Sequence, residues 1–109
     1  MSFIFELSIL DYDVVELRWP IALGRVGSAP YQALADALEP VAGVNRVEVL
    51  RYSAHIEVAP HVESLGTVLL DIQAHLLDDA TLAKELAAVG VTNYGVTTNP
   101  DVVTRRSIP

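Results

Sequence analysis

Hydrophobic and polar positions set a two-residue period at the start of the chain. Phe3, Phe5, Leu7 and Ile9 share one parity, which predicts a strand over residues 3–10. Asp11-Tyr12-Asp13 predicts a turn or bulge. Alternation resumes from Val14 to Trp19, with Val15, Leu17 and Trp19 opposed to Glu16 and Arg18, as a second strand or a continuation of the first. Pro20 has no N–H to give a ladder and ends the segment.

The period then becomes helical. After a loop over residues 21–29, Tyr31, Leu34, Ala35, Leu38 and Val41 recur at the spacing of one helix face. Ser28 suits the N-cap and Pro30 is tolerated in a first turn, so the pattern predicts a helix from Ala29 to Leu38 or Val41. Alternation returns over Arg46–Tyr52, with Val47 and Val49 opposed to Glu48, Leu50 and Tyr52. It continues over Ala54–Ala59, with Ile56 and Val58 opposed to His55 and Glu57. The short connection at Ser53 predicts an antiparallel hairpin. Val62, Leu65, Val68, Leu69, Ile72 and Leu76 then form an apolar stripe, predicting an amphipathic helix from Val62 to Leu77. Asp79 is placed to cap a further helix, Ala80–Val89, with Gly90 just past its end. Val91–Thr98 reads as the last strand, and residues 99–109 as a polar, mobile tail.

The order strand–helix–strand–strand–helix–strand resembles the ferredoxin-like split βαβ plait over residues 12–98. The resemblance implies an α+β fold, an antiparallel sheet with helices on one face, in a single domain over residues 1–98. Residues 3–10 are then an added strand that pairs at the sheet edge, forms a hairpin with residues 14–19, or swaps onto another subunit. The stretch Ala42-Gly43-Val44-Asn45-Arg46-Val47-Glu48-Val49 is similar to the helix-to-strand passage of heavy-metal-associated domains. Those domains carry a paired-cysteine loop before their first helix. The corresponding loop here, Gly24-Arg25-Val26-Gly27-Ser28, has no thiol, so their metal function does not carry over.

Composition narrows the choice of chemistry. The chain has 109 residues, 51% of them hydrophobic and 19% charged, which suits one folded domain rather than a disordered segment. Its net charge of −7 and lack of a basic stripe argue against nucleic acid and anionic membranes as partners. The absence of cysteine removes disulfides, thiol catalysis and thiolate metal sites, and fits a cytoplasmic protein. The N-terminus has no basic leader and carries Glu6 inside its apolar run, which fits neither a signal peptide nor a spanning helix. Six of the seven basic residues are Arg, with Lys84 the exception, a bias that resembles proteins of high-GC actinobacteria and their phages.

Four groupings are candidates for chemistry. Asp71 and His75 share a helix face, but a metal site needs three or more ligands, and His61 lies turns away. Ser64, Thr67, Asp71, His75 and Asp78 read instead as a solvated stripe, and no metal or cofactor is expected. Gly24, Arg25, Gly27 and Ser28 before a helix N-terminus can offer amides and charge to an anion. Glu16, Glu48 and Glu57, with His55 and Arg18, share one sheet face and can support acid–base work, although such charges are ordinary on a half-exposed sheet. The sheet face away from the helices is the fourth candidate, with Glu48, Leu50, Tyr52, His55, Glu57 and Tyr94 (or the neighbours of Tyr94 of opposite parity), joined by Val14, as an interface. The leading expectation is a non-catalytic protein–protein interaction module, of the phage accessory kind that binds a host protein, forming a homodimer through that face. The alternatives are a regulatory domain binding a small molecule or anion at Gly24–Ser28, and a cofactor-free enzyme of the dimeric plait type.

Overall fold

The alternation at the start of the chain becomes β1, Ser2–Asp11, with Phe3, Phe5, Leu7 and Ile9 buried and Ile4 and Glu6 exposed. This computed structural model describes residues 1–11, 13–59 and 65–102. The remaining elements are β2 (Val14–Arg18), α1 (Ala29–Leu38), β3 (Val44–Val49), β4 (Ser53–Val58), α2 (Leu65–Asp78), α3 (Ala80–Ala88) and β5 (Asn93–Val102). The fold is α+β: a five-stranded mixed sheet with three helices.

The strand order is β3-β4-β2-β1-β5. Neighbours are antiparallel except β1 and β5, which run parallel. In a plain plait the last strand would lie beside β2. Here β1 occupies that place and β5 moves out by one position. The first strand forms the expected hairpin with residues 14–18 and is not an edge extension: it pairs with β2 on one side and β5 on the other. Its four apolar residues explain the preference, since a strand this hydrophobic buries most when flanked on both sides.

The helices cover the face to which those residues point. Val15, Leu17, Ala54 and Ile56 from the sheet meet Leu34 and Leu38 of α1, Leu69, Ile72 and Leu76 of α2, and Leu82 and Leu86 of α3 in one core. Each fully buried large apolar side chain contributes roughly 1.5–3 kcal/mol. Phe5 is central to the aromatic part, edge-on to Phe3, Trp19 and Tyr94 at centroid distances of 4.9, 5.9 and 5.6 Å. α1 packs on β3, α2 and α3, whereas α2 lies over β5 and β1.

Local chemistry sets the boundaries. The Asp79 carboxylate accepts the Leu82 N–H at 2.8 Å and starts α3. Gly90, at φ +93°, lets the chain turn back so that the Val91 N–H reaches the Leu86 carbonyl. β3 starts two residues before the expected Arg46 and stops at Val49, because the Leu50 N–H turns to the Ser53 carbonyl at 2.7 Å. β5 runs on to Val102, so residues 99–102 of the expected tail belong to the sheet. Its register against β1 shifts between Asn99 and Val102, across Pro100, which has no N–H to pair. The expected helical residues 62–64 and the tail residues 103–109 lie outside the described residues. No helix of the described residues is long and apolar enough to cross a membrane.

Candidate functional site on the uncovered sheet face

Among the described residues no polar or charged side chain is buried, and no helix lies on the second face of the sheet. Strand register arranges this face in rows. Asn99, Ser8, Glu16, His55 and Glu48 form one row across all five strands. Thr97, Glu6, Arg18 and Ser53 form the next, and Val14, Glu57 and Arg46 lie on the far side of the first. The grouping of Glu16, Glu48, Glu57, His55 and Arg18 anticipated from alternation is thus brought together.

Contacts within the rows are those of a solvated surface. His55 Nε2 lies 3.2 Å from Glu16 Oε2, and the Arg46 guanidinium lies 3.7 Å from the Glu57 carboxylate with both side chains more than half exposed. The exposed Arg46–Glu57 pair contributes little to stability. The His55–Glu16 pair is partly buried, with side chains 36% and 20% exposed.

One end of the face differs. β2 stops at Arg18 and Pro20 has no N–H, while the Trp19 N–H goes to the Tyr52 carbonyl at 3.0 Å. The start of β1 is left without β2 beside it. A groove of about 470 Å³ opens there, lined by Phe3, Ile4, Glu6, Arg18, Trp19 and Pro20. On the other side of Ile4 its β5 partner is Gly95, which has no side chain, and a second hollow of about 500 Å³ results. Ile4 therefore stands as an apolar ridge, 53% exposed, between two concavities. Leu50 and Tyr52 are also exposed at this end of the sheet, in the β3–β4 turn rather than on a strand face.

Tyr94 is placed elsewhere. β5 runs parallel to β1 with Tyr94 opposite Phe3, so its ring enters the helix-covered side and its hydroxyl donates to the Leu76 carbonyl at 2.7 Å. Burial, and secondarily the charge of Asp79, raise its pKa above the usual tyrosine value. Of the two parities left open for this strand, it is the neighbours of Tyr94, Gly95 and Thr97, that take the positions on the uncovered face. Ile4 and Glu6 were missing from the expected interface. The signal for Ile4 was present in the sequence: it is an apolar residue on the otherwise polar parity of β1.

The other candidates are not drawn into this face. The Gly24–Ser28 loop enters α1 with Gly24 and Gly27 at positive φ, and the Ser28 N–H closes a turn on the Arg25 carbonyl at 3.0 Å. The Gln32 N–H is satisfied by the Ser28 carbonyl and Pro30 has no N–H, while the Ser28 Oγ is buried without a hydrogen-bond partner among the described residues. Asp71 and His75 do share a face of α2, where His75 Nδ1 contacts the Asp71 backbone carbonyl at 2.8 Å rather than its carboxylate. Among the described residues no three His, Asp or Glu side chains converge in a metal-holding group, and His61 lies outside them. Comparison with known protein families, with curated proteins and with solved structures found no match to this chain.

Proposed function

We propose that this domain is a non-catalytic recognition module that binds a protein partner through the uncovered sheet face, centred on Ile4. The observation that supports the reading is the Ile4 ridge with a groove on each side, set in a surface of ionised side chains. An apolar anchor with a polar rim is the anatomy of a protein interface. Glu6, Glu16, Glu48 and Glu57 outnumber Arg18 and Arg46 on this face, so the matching surface presents Lys or Arg around an apolar contact. The Arg-over-Lys bias supports a bacterial or phage setting, with a host protein inside the cell as that partner.

The test compares the natural chain with Ile4→Asp, which places a charge on the ridge, and Gly95→Val, which fills the second hollow. A Cβ at Gly95 meets nothing within 4 Å, and the second variant is expected to keep the fold. A partner retained by the natural chain is purified and its Kd measured. The expectation is that both variants weaken binding and that added salt weakens it further. Equal binding by all three proteins, at unchanged circular dichroism, removes Ile4 and its grooves as the recognition site.

A further inference from the structure

The β3 strand closes one edge of the sheet, and no strand of the described residues pairs on its outer side. The direction of its backbone groups follows from the hairpin. The Leu50 N–H bonds to the Ser53 carbonyl, so Leu50–Ser53 is a hydrogen-bonded pair. Alternation then makes Glu48–His55 and Arg46–Glu57 hydrogen-bonded pairs too, and turns the N–H and C=O groups of Val47 and Val49 outward. The other side of β4 agrees. Trp19 bonds to Tyr52 and Val58 to Asp13, so the even residues of β4 face β2 and its odd residues face β3.

We propose that this edge pairs with β3 of a second copy of the chain, antiparallel, about a twofold axis at Val47. Val47 then exchanges N–H···O bonds with the partner's Val47, and Val49 lies opposite the partner's Asn45. The same register sets Arg46 opposite the partner's Glu48, and Glu48 opposite the partner's Arg46. Both are non-hydrogen-bonded positions, where side chains approach most closely. The charge pattern selects this register over its neighbours. A shift one way sets Arg46 against Arg46, and a shift the other way sets Glu48 against Glu48, while both keep the outward groups in phase. The sequence Arg46-Val47-Glu48 is therefore self-complementary in one antiparallel alignment.

Arg46 is available for this role. Its side chain is 69% exposed, and its 3.7 Å contact with Glu57 is a surface pair that holds it weakly. The twofold axis runs perpendicular to the sheet, so the two uncovered faces join as one ten-stranded surface and the Ile4 ridges stay accessible. The pairing does not depend on the recognition proposed for Ile4, and neither Arg46 nor Glu48 lines its grooves.

The test is the oligomeric state of charge-reversed chains, measured by sedimentation equilibrium. The natural chain is expected to dimerise. Arg46→Glu and Glu48→Arg, each alone, set two like-charged pairs across the axis and raise the dimer Kd about tenfold or more. An equimolar mixture of the two variants restores opposite charges at both positions, so a heterodimer forms although neither variant dimerises well by itself. A natural chain that stays monomeric at millimolar concentration overturns the proposal. So do single reversals that leave the dimer intact, or a mixture no more associated than its components. Unchanged circular dichroism and Trp19 emission confirm that each variant is folded, and Ile4→Asp, which spares the edge, is expected to dimerise like the natural chain.

Discussion

Trp19 and Tyr31 donate to the same acceptor: the indole N–H and the phenol O–H both reach the Arg51 backbone carbonyl at 2.9 Å, their rings 6.3 Å apart. Tyr31 Oη in turn accepts the buried Leu23 N–H at 2.9 Å. Four segments are joined at one point: the end of β2, the loop after it, α1 and the β3–β4 turn. The end of the sheet that carries the Ile4 grooves is held in shape by these bonds.

Tyr31→Phe leaves the Leu23 N–H buried without an acceptor, while Arg51 keeps its bond from Trp19. The expected loss is about 1–3 kcal/mol of stability. Urea unfolding followed by far-ultraviolet circular dichroism measures it, and Trp19 fluorescence reports whether the loosened turn admits water at the indole.

Ile4 and Phe5 are adjacent but project to opposite faces. Phe5→Ala removes a fully buried ring that touches three others and is expected to cost about 3–5 kcal/mol. Ile4→Ala is expected to change stability by no more than about 0.5 kcal/mol. Thermal unfolding of the two variants tests the assigned parity of β1. Similar losses in both would mean that Ile4 is covered.

Asp79→Ala removes the cap from α3 and is expected to cost about 0.5–2 kcal/mol. It also removes one of the two influences that raise the Tyr94 pKa. Titration of tyrosinate absorbance is expected to show that group ionising at lower pH in the variant than in the natural chain.

The raised Tyr94 pKa has a defined sign for stability. Between the ordinary value of 10.0 and the higher folded value, the folded chain holds a proton that the unfolded chain has lost. Stability is unaffected below that window and falls as pH rises through it. Tyr94→Phe loses the hydrogen bond to Leu76 but is expected to show a shallower alkaline decline, read from urea midpoints on both sides of pH 10.

The sequence made local structure legible where one period dominated. The apolar parity of β1, the Asp79 cap and the stripe of α2 from Leu65 onward each rest on residues close in the chain. The turn after Val49 was not legible, because the alternation runs unbroken through Tyr52 and Arg51-Tyr52 carries neither Gly nor Asn to mark it. The hairpin of β1 with β2 was among the expectations, but the pairing of β1 with β5 was hidden. Its pairing with Asn93–Asn99 is a contact between distant segments, and no nearby residue encodes it. That one pairing accounts for the departure from the expected plait. The site was half legible: Glu48, His55 and Glu57 fall on the uncovered face, but the grooves depend on where β2 ends and on Gly95 standing opposite Ile4. The shared acceptor at Arg51 is a backbone carbonyl, for which no side-chain pattern exists.

The parallel pairing of β1 with β5 bears on how the chain reaches this structure. Thr92 bonds to the Met1 carbonyl across 91 positions of sequence, and the strands on either side of that contact bracket nearly everything else. During synthesis β1 is made long before β5, and one of its two long edges stays unmatched until β5 follows. Closure over such a distance is entropically costly and slow. Until it occurs, the most hydrophobic strand of the domain has an open flank, and that interval is when a nascent chain would most need shielding from its neighbours.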